Sequence, residues 1–385
     1  MRIEQTRWTQ ASGWRPHPPG QRNLDASLVL VFGGSALFRE AAFFGSLSAI
    51  YPQALIVGCS TAGEICGTDV TDDSLVCTAV QFEQATCRGA MSAIPSPDQS
   101  RVVGQSLARQ VLAEDLRHVL VFSDGLGVNG SELVAGLRDV LPASVSLTGG
   151  LAGDGDRFQE TYVVWRAFPQ RNNVVALGLY GHSLSIGYGS LGGWDAFGPE
   201  RIVTRSAGNV LYELDGISAL ELYRKYLGEH AQGLPATGLL FPLAIRTDHT
   251  SPDLVRTILS VNEHDQSMTF AGDIPEGAYA RLMKANFDRL IDGAVGAASA
   301  CRSLLGLNRP ELAILISCVG RKMVLKQRIE EEVEGVRDVI GASTPLTGFY
   351  SYGEISPAGP LNGCELHNQT MTITAFAEAT REEQA

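Results

Sequence analysis

Three segments of the chain repeat one pattern, and this repeat limits the folds that the chain can adopt. Each segment contains an apolar run, a helical stretch, a second short apolar run and a corner that contains glycine. The corners read GCSTAGEI at residues 58–65, TGGLAGDG at residues 148–155 and LTGFYSYGEISP at residues 346–357. Because self-similarity of this kind indicates repeated structural units, we expect one strand–helix–strand–turn–strand module to occur three times.

The apolar runs that open the repeats cover residues 28–32, 119–122 and 312–316. Such continuous runs are typical of strands that are buried on both faces of a sheet. Glycine at each corner supplies positive φ or a close backbone approach, and corners at strand ends commonly meet at a ligand-binding cleft. The prediction is an α/β fold of two domains, built from these modules, with mixed sheets covered by helices. The alternative for each corner is that its glycines only make a tight turn.

The charge of the chain argues against one class of partner. The sequence has 30 Lys and Arg residues against 42 Asp and Glu residues, a formal net charge of −12 at pH 7, and we find no run of basic residues. Such a chain repels phosphate backbones, so we expect no nucleic-acid partner.

Apolar segments and cysteines predict the compartment. Residues 41–63 are uncharged but contain Pro52 and Gln53, and we interpret them as a buried helix followed by a buried strand. Residues 1–20 lack the apolar core of a secretory signal. The seven cysteines include no CxxC pair, which favours reduced core thiols. We therefore expect a cytoplasmic protein without a membrane partner.

The segment between the second and third repeats has an antiparallel pattern. Residues 173–180 and 183–188 are separated by Gly181-His182, which predicts a hairpin. A helix is expected at residues 218–227 and a long amphipathic helix at residues 278–300. The predicted organisation is listed from the N-terminus: an arm at 1–25, an N-terminal domain at 26–217, a C-terminal domain at 218–378 and a flexible tail at 379–385.

Several motifs, in this order, resemble the FIST sensory proteins. They are GCSTAGEI, LTGGLAGDGDRF, GNVLYELDGISALELY, ISCVGRK, LTGFYSYGEISP and ELHNQTMTITAFAE. The resemblance extends from residue 26 to about residue 378 and implies paired N- and C-terminal FIST domains that sense a ligand inside the cell. It is closest to a stand-alone bacterial subgroup that binds haem, senses nitric oxide and regulates a partner histidine kinase. The resemblance therefore implies haem b as cofactor, a gaseous ligand and a histidine kinase partner.

A haem sensor needs an axial ligand and an apolar pocket. His367 lies in ELHNQT, where the last strand of the third repeat begins, and we predict it as the proximal ligand of the haem iron. Tyr350, Tyr352 and Glu354 belong to the neighbouring corner and are predicted to line the cofactor cleft. Arg321 is the predicted partner of the haem propionates, because arginine binds carboxylates bidentately. The alternatives are a hydrogen-bonded structural histidine and an ordinary surface arginine.

The sequence also offers residues for other chemistry. Cys318 follows a buried strand and offers a thiolate ligand, although a buried apolar role is simpler. Residues 125–130 fit GxGxxG, but the next strand lacks the acid that a dinucleotide site requires. Residues 58–62 approach a nucleophile elbow, but the final glycine is Ala62. We therefore predict that the protein is not an enzyme, with a hydrolase or a nucleotide-using enzyme as the alternative.

Acidic residues follow all three corners, namely Glu64, Asp154 and Glu354. They either bind an amine or a cation together, or accept hydrogen bonds from nearby backbone N–H groups. The first possibility suits a haem-free FIST receptor for an amino acid or another small metabolite, which is the main alternative to the haem sensor. A homo-oligomer is compatible with the sequence, which does not decide the oligomeric state.

Overall fold

The computed structural model describes residues 1–234, 236–251, 253–357 and 363–379. The first two repeats form one module each, with an edge strand, two parallel strands joined by a helix, a hairpin and a closing antiparallel strand. The first module contains β1 (Arg2–Thr9), β2 (Gly13–Arg15), β3 (Leu28–Gly34), α1 (Ala41–Ile50), β4 (Leu55–Thr61), β5 (Glu64–Cys66), β6 (Asp69–Thr71) and β7 (Leu75–Gln81). The second contains β8 (Thr86–Ala93), α2 (Ser100–Val111), β9 (Leu116–Ser123), α3 (Gly130–Arg138), β10 (Ser146–Leu151), β11 (Val163–Trp165), β12 (Phe168–Gln170) and β13 (Asn173–Tyr180).

The third module has the same elements but is interrupted by an insert. It begins with β14 (Leu184–Leu191), and the insert follows with β15 (Asp195–Ala207), β16 (Val210–Leu214), β17 (Ile217–Ser218), α4 (Ala219–Leu227), β18 (Leu243–Arg246), β19 (Leu254–Arg256), β20 (Ile258–Asn262), β21 (Ser267–Phe270) and β22 (Tyr279–Lys284). The module resumes with α5 (Phe287–Leu305), β23 (Leu312–Cys318), α6 (Val319–Leu325), α7 (Ile329–Ile340), β24 (Leu346–Ser351), β25 (Gly353–Pro357), β26 (Cys364–His367) and β27 (Met371–Glu378). Short 3₁₀ helices occupy Ser35–Arg39, Pro97–Gln99, Gly228–Gly233, Ala236–Leu240 and Lys326–Arg328.

Each module builds a mixed sheet around its two parallel strands. The parallel pairs are β3 with β4, β9 with β10 and β23 with β24. The closing strands β7, β13 and β27 lie antiparallel to the first strand of each pair, and the edge strands β1, β8 and β14 flank them. The predicted fold class, mixed sheets covered by helices in repeated modules, is therefore confirmed.

The modules exchange strands in a closed cycle. Strand β5 of the first module pairs with β24 of the third, β11 of the second pairs with β4 of the first, and β25 of the third pairs with β10 of the second. Phe32, Phe122 and Phe349 meet where the three sheets approach, with ring centroids 4.8–6.3 Å apart. Because every sheet is completed by a hairpin from another module, no module has a complete sheet without the others.

The corner glycines occupy equivalent positions in the three modules. A Cβ atom at Gly58, Gly149 or Gly348 would lie 1.8, 2.1 or 1.8 Å from a carbonyl oxygen of the neighbouring parallel strand. Only glycine permits this close approach of the two backbones. The predicted equivalence of the three corners is confirmed, and their glycines serve strand packing.

The insert forms a separate sheet with its own apolar core. Its strand order is β19-β18-β22-β15-β16-β21-β20, with β17 paired to β16. Helix α4 is capped by Ser218, whose hydroxyl accepts a hydrogen bond from the Glu221 N–H. The residues of the insert core include Leu211, Leu220, Tyr223, Leu243, Met268, Phe270 and Leu282. None of the helices in the described part of the chain is long and apolar enough to cross a bilayer.

Two sequence predictions about local structure are wrong. Strands β13 and β14 do not form a hairpin, because β13 is already paired on both edges, with β8 and β9, and β14 instead pairs with β27. The helix expected over residues 278–300 is shorter at its start, since residues 279–284 form β22 between β15 and β18. Asn286 then caps α5, its side-chain oxygen accepting from the Arg289 N–H at 3.4 Å.

The predicted domain boundaries stay predictions, and the structure shows which elements lie at each of them. Residues 2–9 of the expected arm form β1 in the first sheet. The expected boundary at 217/218 lies within β17, inside the sheet of the insert. The tail at 379–385 lies outside the described residues, except for residue 379.

Candidate functional site

The third corner brings together the backbone segments that carry the predicted site. Strands β25 and β26 pair antiparallel, with Glu354 opposite His367 in the register. The turn between β26 and β27, residues 368–370, lies against the end of β23, where the Cys318 N–H donates to the Thr370 oxygen at 3.1 Å. The predicted neighbourhood of His367 and the third corner therefore exists, and its side chains decide its chemistry.

His367 is held by a backbone carbonyl. Its Nε2 lies 3.0 Å from the Ser356 oxygen, and only 7% of the residue is exposed. Burial, with a smaller contribution from the charge of Arg256, lowers the pKa of the imidazole to about 4, against the opposing effect of the hydrogen bond to Ser356. The ring is therefore neutral at pH 7 and uses Nε2 as a donor to that carbonyl.

The two tyrosines contact different parts of the molecule. The Tyr350 hydroxyl donates to Glu332 Oε1 at 2.7 Å, inside the third module. The Tyr352 hydroxyl donates to the Gly155 oxygen at 3.2 Å and accepts from the Asp154 N–H at 2.9 Å, while its ring stacks on Phe158 at 4.3 Å. Burial raises the pKa of both phenols, so both stay protonated. They do not point their hydroxyls at one common centre.

Arg321 is the residue whose predicted role the geometry corrects. Its guanidinium is fully buried and forms an ion pair with Glu332 Oε2, with Nη2 at 2.6 Å and Nε at 3.1 Å. Nη2 also donates to the Leu290 oxygen at 2.8 Å, and Nη1 donates to the Gly192 oxygen. Every guanidinium nitrogen already has an acceptor, so this arginine is an internal brace and offers no surface for propionates.

The corner acids accept hydrogen bonds within turns. Glu354 accepts from Ser351 Oγ at 2.5 Å and from Thr370 N and Oγ1 at 3.2 and 3.0 Å. Glu64 repeats this arrangement with Ser74 N and Oγ, at 2.9 and 2.7 Å. Burial raises the pKa of Glu354 to about 8 and that of Glu64 to about 7, against the opposing effect of these hydrogen bonds.

Asp154 departs from that pattern. It follows its corner glycine by one residue fewer than the two glutamates do. Its carboxylate binds Arg157 Nη2 at 2.7 Å and accepts from the N–H groups of Gln159 and Glu160. Of the two alternatives for the corner acids, the geometry shows the turn contacts, and the three carboxyls do not share one binding centre.

These residues do not fit a haem group in this conformation. The predicted axial nitrogen of His367 faces a carbonyl, both phenols donate to other acceptors, and the predicted propionate partner is bound to Glu332. The Cys318 thiol is buried, which raises its pKa and keeps it protonated. Within the described ranges, no group of His, Cys, Asp and Glu side chains suits a metal ion. The haem assignment stays a prediction that these residues do not support.

The turn beside His367 contains buried polar atoms that the sequence analysis missed. Asn368 is fully buried, and neither its Oδ1 nor its Nδ2 has a hydrogen-bond partner among the described residues. Gln369 Oε1 is also without a partner there, while its Nε2 donates to Thr257 Oγ1 at 3.0 Å. Because buried polar groups are nearly always paired, three such atoms in two consecutive residues need an explanation.

The insert contributes a buried cation to the same place. Arg256, at the end of β19, is 3% exposed, and its Nη1 donates to the Leu366 oxygen at 2.8 Å. Its Nε donates to the Asp273 oxygen at 3.3 Å, and no carboxylate of the described residues lies within ion-pair distance. Burial lowers its pKa to about 10, with Glu365 and Asp273 opposing, so the group is charged at pH 7.

The equivalent turns of the other modules show what is unusual here. Each of the three turns accepts one matching backbone hydrogen bond, at the carbonyl of Ser74, Asn173 or Thr370, from the end of the first parallel strand. All three turns also have a residue with positive φ before the closing strand. In the first module the side chain of Asp72, at the place of Asn368, is paired with Lys322. An alignment of Asp72-Asp73-Ser74 with Asn368-Gln369-Thr370 would have pointed to this turn, whereas no sequence signal marks Arg256.

Two surface cavities lie elsewhere. One, of about 280 Å³, is lined mainly by apolar residues near the N-terminus, including Trp14, Phe43 and Leu47. The other, of about 580 Å³, is bordered by Tyr51 and Trp165. Neither is lined by a residue of the predicted haem site.

Comparisons with known proteins identify relatives without a stated function. The uncharacterized protein MJ1623 of Methanocaldococcus jannaschii is 23% identical over 349 residues, covering 82% of this chain and 64% of that protein. This chain thus spans less than two thirds of the length of that relative. The uncharacterized protein Rv0628c of Mycobacterium tuberculosis is 26% identical over 282 residues, covering 69% of each chain.

One solved structure is only a distant neighbour, whereas two family models match the chain. A cyanuric acid hydrolase from A. caulinodans covers 77% of this chain and 100% of its own, but at 12% identity and a TM-score of 0.18. The model of the FIST N domain matches residues 27–217, and that of the FIST C domain matches residues 219–357. With both models matched in order along most of its length, the chain belongs to the FIST family.

Proposed function

We propose that this protein is a haem-free signal-transduction sensor that binds a small polar metabolite at the turn formed by Asn368 and Gln369. Membership of the FIST family supports the sensory role. The observation that carries the binding site is Asn368, a fully buried amide whose donor and acceptor both lack a partner among the described residues. A small molecule with one acceptor and one donor would satisfy both atoms.

The energy of such a group favours a ligand. A buried donor or acceptor without a partner costs about 1–3 kcal/mol, and Asn368 has one of each while Gln369 Oε1 adds another. Hydrogen bonds from a ligand would recover this free energy on binding, and an ordered water would recover it without any ligand. Either partner requires the turn to open, because these amide atoms are closed to solvent in this structure. If a ligand is the missing partner, an added metabolite stabilises the protein. If an ordered water is the partner, added metabolites have no effect.

The position of the turn suits a sensor. The insert contacts the turn through Thr257, to which Gln369 Nε2 donates at 3.0 Å. Trp194, immediately before the insert, donates its indole N–H to the Gln369 oxygen at 2.9 Å. A ligand that competes for these contacts changes the stability of the insert against the third module. This is a differential interaction of the kind that shifts a conformational equilibrium.

A partner histidine kinase would read the shift of the insert, the protein would act in the cytoplasm, and it would catalyse no reaction. The haem-based nitric oxide sensor suggested by the family resemblance is tested by the absorption spectrum of the purified protein. A Soret band that follows expression with added haem would favour that sensor over the metabolite receptor.

The test is a thermal-shift screen of the dialysed full chain against a library of amino acids, organic acids and other small polar metabolites. We expect at least one compound to raise the melting temperature of the wild type. Asn368→Leu should raise the basal melting temperature, because it removes the unpartnered amide, and should lose the response. Asn308→Leu, which changes an exposed amide bound to Ser185, should keep the response.

Two results would overturn the proposed function. One is a wild type that no compound stabilises, which would leave ordered water as the partner of Asn368. The other is an Asn368→Leu variant that responds to the same compounds as the wild type.

A further inference from the structure

We infer that Arg256 binds a carboxylate group of the ligand, so that the ligand class is a small carboxylate that also carries a hydrogen-bond donor. The inference rests on the proposed function, because it assigns the chemistry of the same turn. The insert supplies the cation, and the third module supplies the amides. Arg256 lies within the range matched by the FIST C domain model but is not part of the predicted haem site.

Arg256 lacks a counter-charge among the described residues. Burying a cation without an opposite charge is costly, and buried charges are therefore normally paired. The guanidinium of Arg321 follows this rule through Glu332, whereas that of Arg256 has only the carbonyls of Leu366 and Asp273 as acceptors. A water molecule can accept a hydrogen bond from Arg256, but it cannot neutralise the charge.

The neighbouring acids do not take this role. Glu365 and Asp273 are close enough to stabilise the charge of Arg256, but neither forms an ion pair with it. The Asp273 carboxylate instead accepts from Asn129 Nδ2 at 3.2 Å. The positive charge is therefore only partly compensated by the described residues.

Arg256 and the amides of the turn also have hydrogen-bonding groups without partners among the described residues. Arg256 Nη2 makes no hydrogen bond to a described residue, while Nε and Nη1 are used. Asn368 Oδ1 and Gln369 Oε1 are two acceptors without a donor. A carboxylate satisfies the guanidinium with a charge-assisted bond, and an amino or hydroxyl group on the same molecule satisfies the two amide oxygens.

The backbone connects these groups into one site. Arg256 holds the Leu366 carbonyl, and Thr257, the next residue, holds the side chain of Gln369. Two adjacent residues of the insert thus contact the segment that contains Asn368 from both ends. A ligand bound there would link the insert, through Arg256, to the third module, through Asn368 and Gln369.

The experiment uses the carboxylate alone as a probe. The Trp194 indole donates to the Gln369 oxygen, so its ¹⁵N–¹H resonance reports on the turn, and Trp194→Phe identifies that resonance. Sodium acetate is titrated into the full chain at millimolar concentrations, with acetamide as the neutral isostere and sodium chloride to hold ionic strength constant. We expect acetate to shift the resonance saturably and acetamide to leave it unchanged.

Variants separate the charge from the fold. Arg256→Lys keeps the charge but loses the planar donor set, and we expect it to weaken acetate binding about tenfold. Arg256→Met should abolish the response, and circular dichroism checks that both variants fold. Arg205→Lys, at an exposed arginine bound to Glu213, is the matched control and should respond like the wild type.

The outcomes distinguish this inference from the proposed function. Equal shifts with acetate and acetamide, no shift with acetate, or an Arg256→Lys variant that binds like the wild type would each overturn the role of Arg256. If the metabolite screen still succeeds in that case, the sensor stands and only the ligand class fails. If the screen fails as well, both proposals fall.

Discussion

Two buried arginines approach the third module, and they differ in their partners. Arg321, on α6, is 0% exposed and donates to Glu332 and to two carbonyls. Arg256, on β19 of the insert, is 3% exposed and has only carbonyl acceptors among the described residues. The same side chain therefore occurs once inside a closed ion pair and once without a counter-ion.

The difference separates a structural role from a candidate functional one. Glu332 also accepts from the Tyr350 hydroxyl at 2.7 Å and from Ser317 Oγ at 3.2 Å, so the network around Arg321 is complete. The turn that follows Leu366, whose carbonyl Arg256 binds, has three side-chain amide atoms without a partner among the described residues. A complete network stabilises one conformation, whereas an incomplete one has binding capacity left for another molecule.

The largest expected effect is that of Arg321→Met. The change leaves the Glu332 carboxylate buried without its partner, which costs about 3–5 kcal/mol in buried ion pairs. Urea unfolding at pH 7, followed by circular dichroism, measures the loss. The double variant Arg321→Met/Glu332→Leu should recover part of it, because no charge then remains buried. A loss below about 1 kcal/mol would contradict the structural role.

The second prediction extends the comparison to the carboxyls. Glu332 is bound by an arginine, whereas the Glu354 carboxyl accepts only from Ser351 and Thr370 and has its pKa raised to about 8 by burial. The folded state therefore holds a proton that the unfolded chain releases near pH 4.5. This contribution favours the folded state at low pH and is lost as the pH rises toward 8.

Glu354→Gln should remove that pH dependence. We expect the free energy of unfolding of the variant to fall less than that of the wild type between pH 5.5 and 8, by about 2 kcal/mol. Urea unfolding at each pH measures it. Glu64→Gln is the matched variant, and its effect should end near pH 7, where the pKa of Glu64 lies. Parallel pH profiles of wild type and Glu354→Gln would refute the assignment.

The third prediction tests the comparison directly through Arg256→Met. The variant loses two hydrogen bonds to carbonyls, and it also removes a buried charge that has no counter-ion. Because these effects oppose each other, we expect a net loss of about 1 kcal/mol or less. The measurement is urea unfolding under the conditions used for Arg321→Met. A loss as large as that of Arg321→Met would show that Arg256 has a counter-ion, and the contrast would fail.

Much of the fold could be predicted from the sequence, because backbone geometry leaves a strong signal there. The glycine corners at Gly58, Gly149 and Gly348 mark close approaches of parallel strands. The exchange of β5, β11 and β25 between modules left no such signal, since pairing partners across the chain are not visible in one sequence. Strand β22 was missed because its pairing within the insert overrides its helical pattern.

The candidate site was predicted only in part. The neighbourhood of His367 and Glu354 was predicted, because both residues belong to the motifs of the third repeat. The different roles of Arg321 and Arg256 were not predicted. The sequence identifies an arginine near a buried strand but does not show whether a carboxylate lies opposite it in the fold. Arg256 belongs to the insert, which has no counterpart in the other repeats.

The smallest expected effect is that of His367, the residue that the resemblance nominates as haem ligand. Its Nε2 makes one hydrogen bond to the Ser356 oxygen, and its ring is neutral at pH 7. His367→Gln keeps a donor there, so we expect a loss of unfolding free energy of about 1 kcal/mol or less. We also expect the spectra of wild type and variant, each expressed with added haem, to be the same and without a Soret band.

The control for that comparison is His249→Ala, which removes an exposed histidine and should leave the spectrum unchanged. A Soret band in the wild type and in His249→Ala that is lost in His367→Gln would reverse the conclusion about this turn. It would mean that His367 Nε2 binds iron in place of the Ser356 oxygen. The ring would then have to leave Ser356, and the pairing of β25 with β26 would have to loosen. The unpartnered amide of Asn368, one residue along the chain, would then belong to the haem-free conformation.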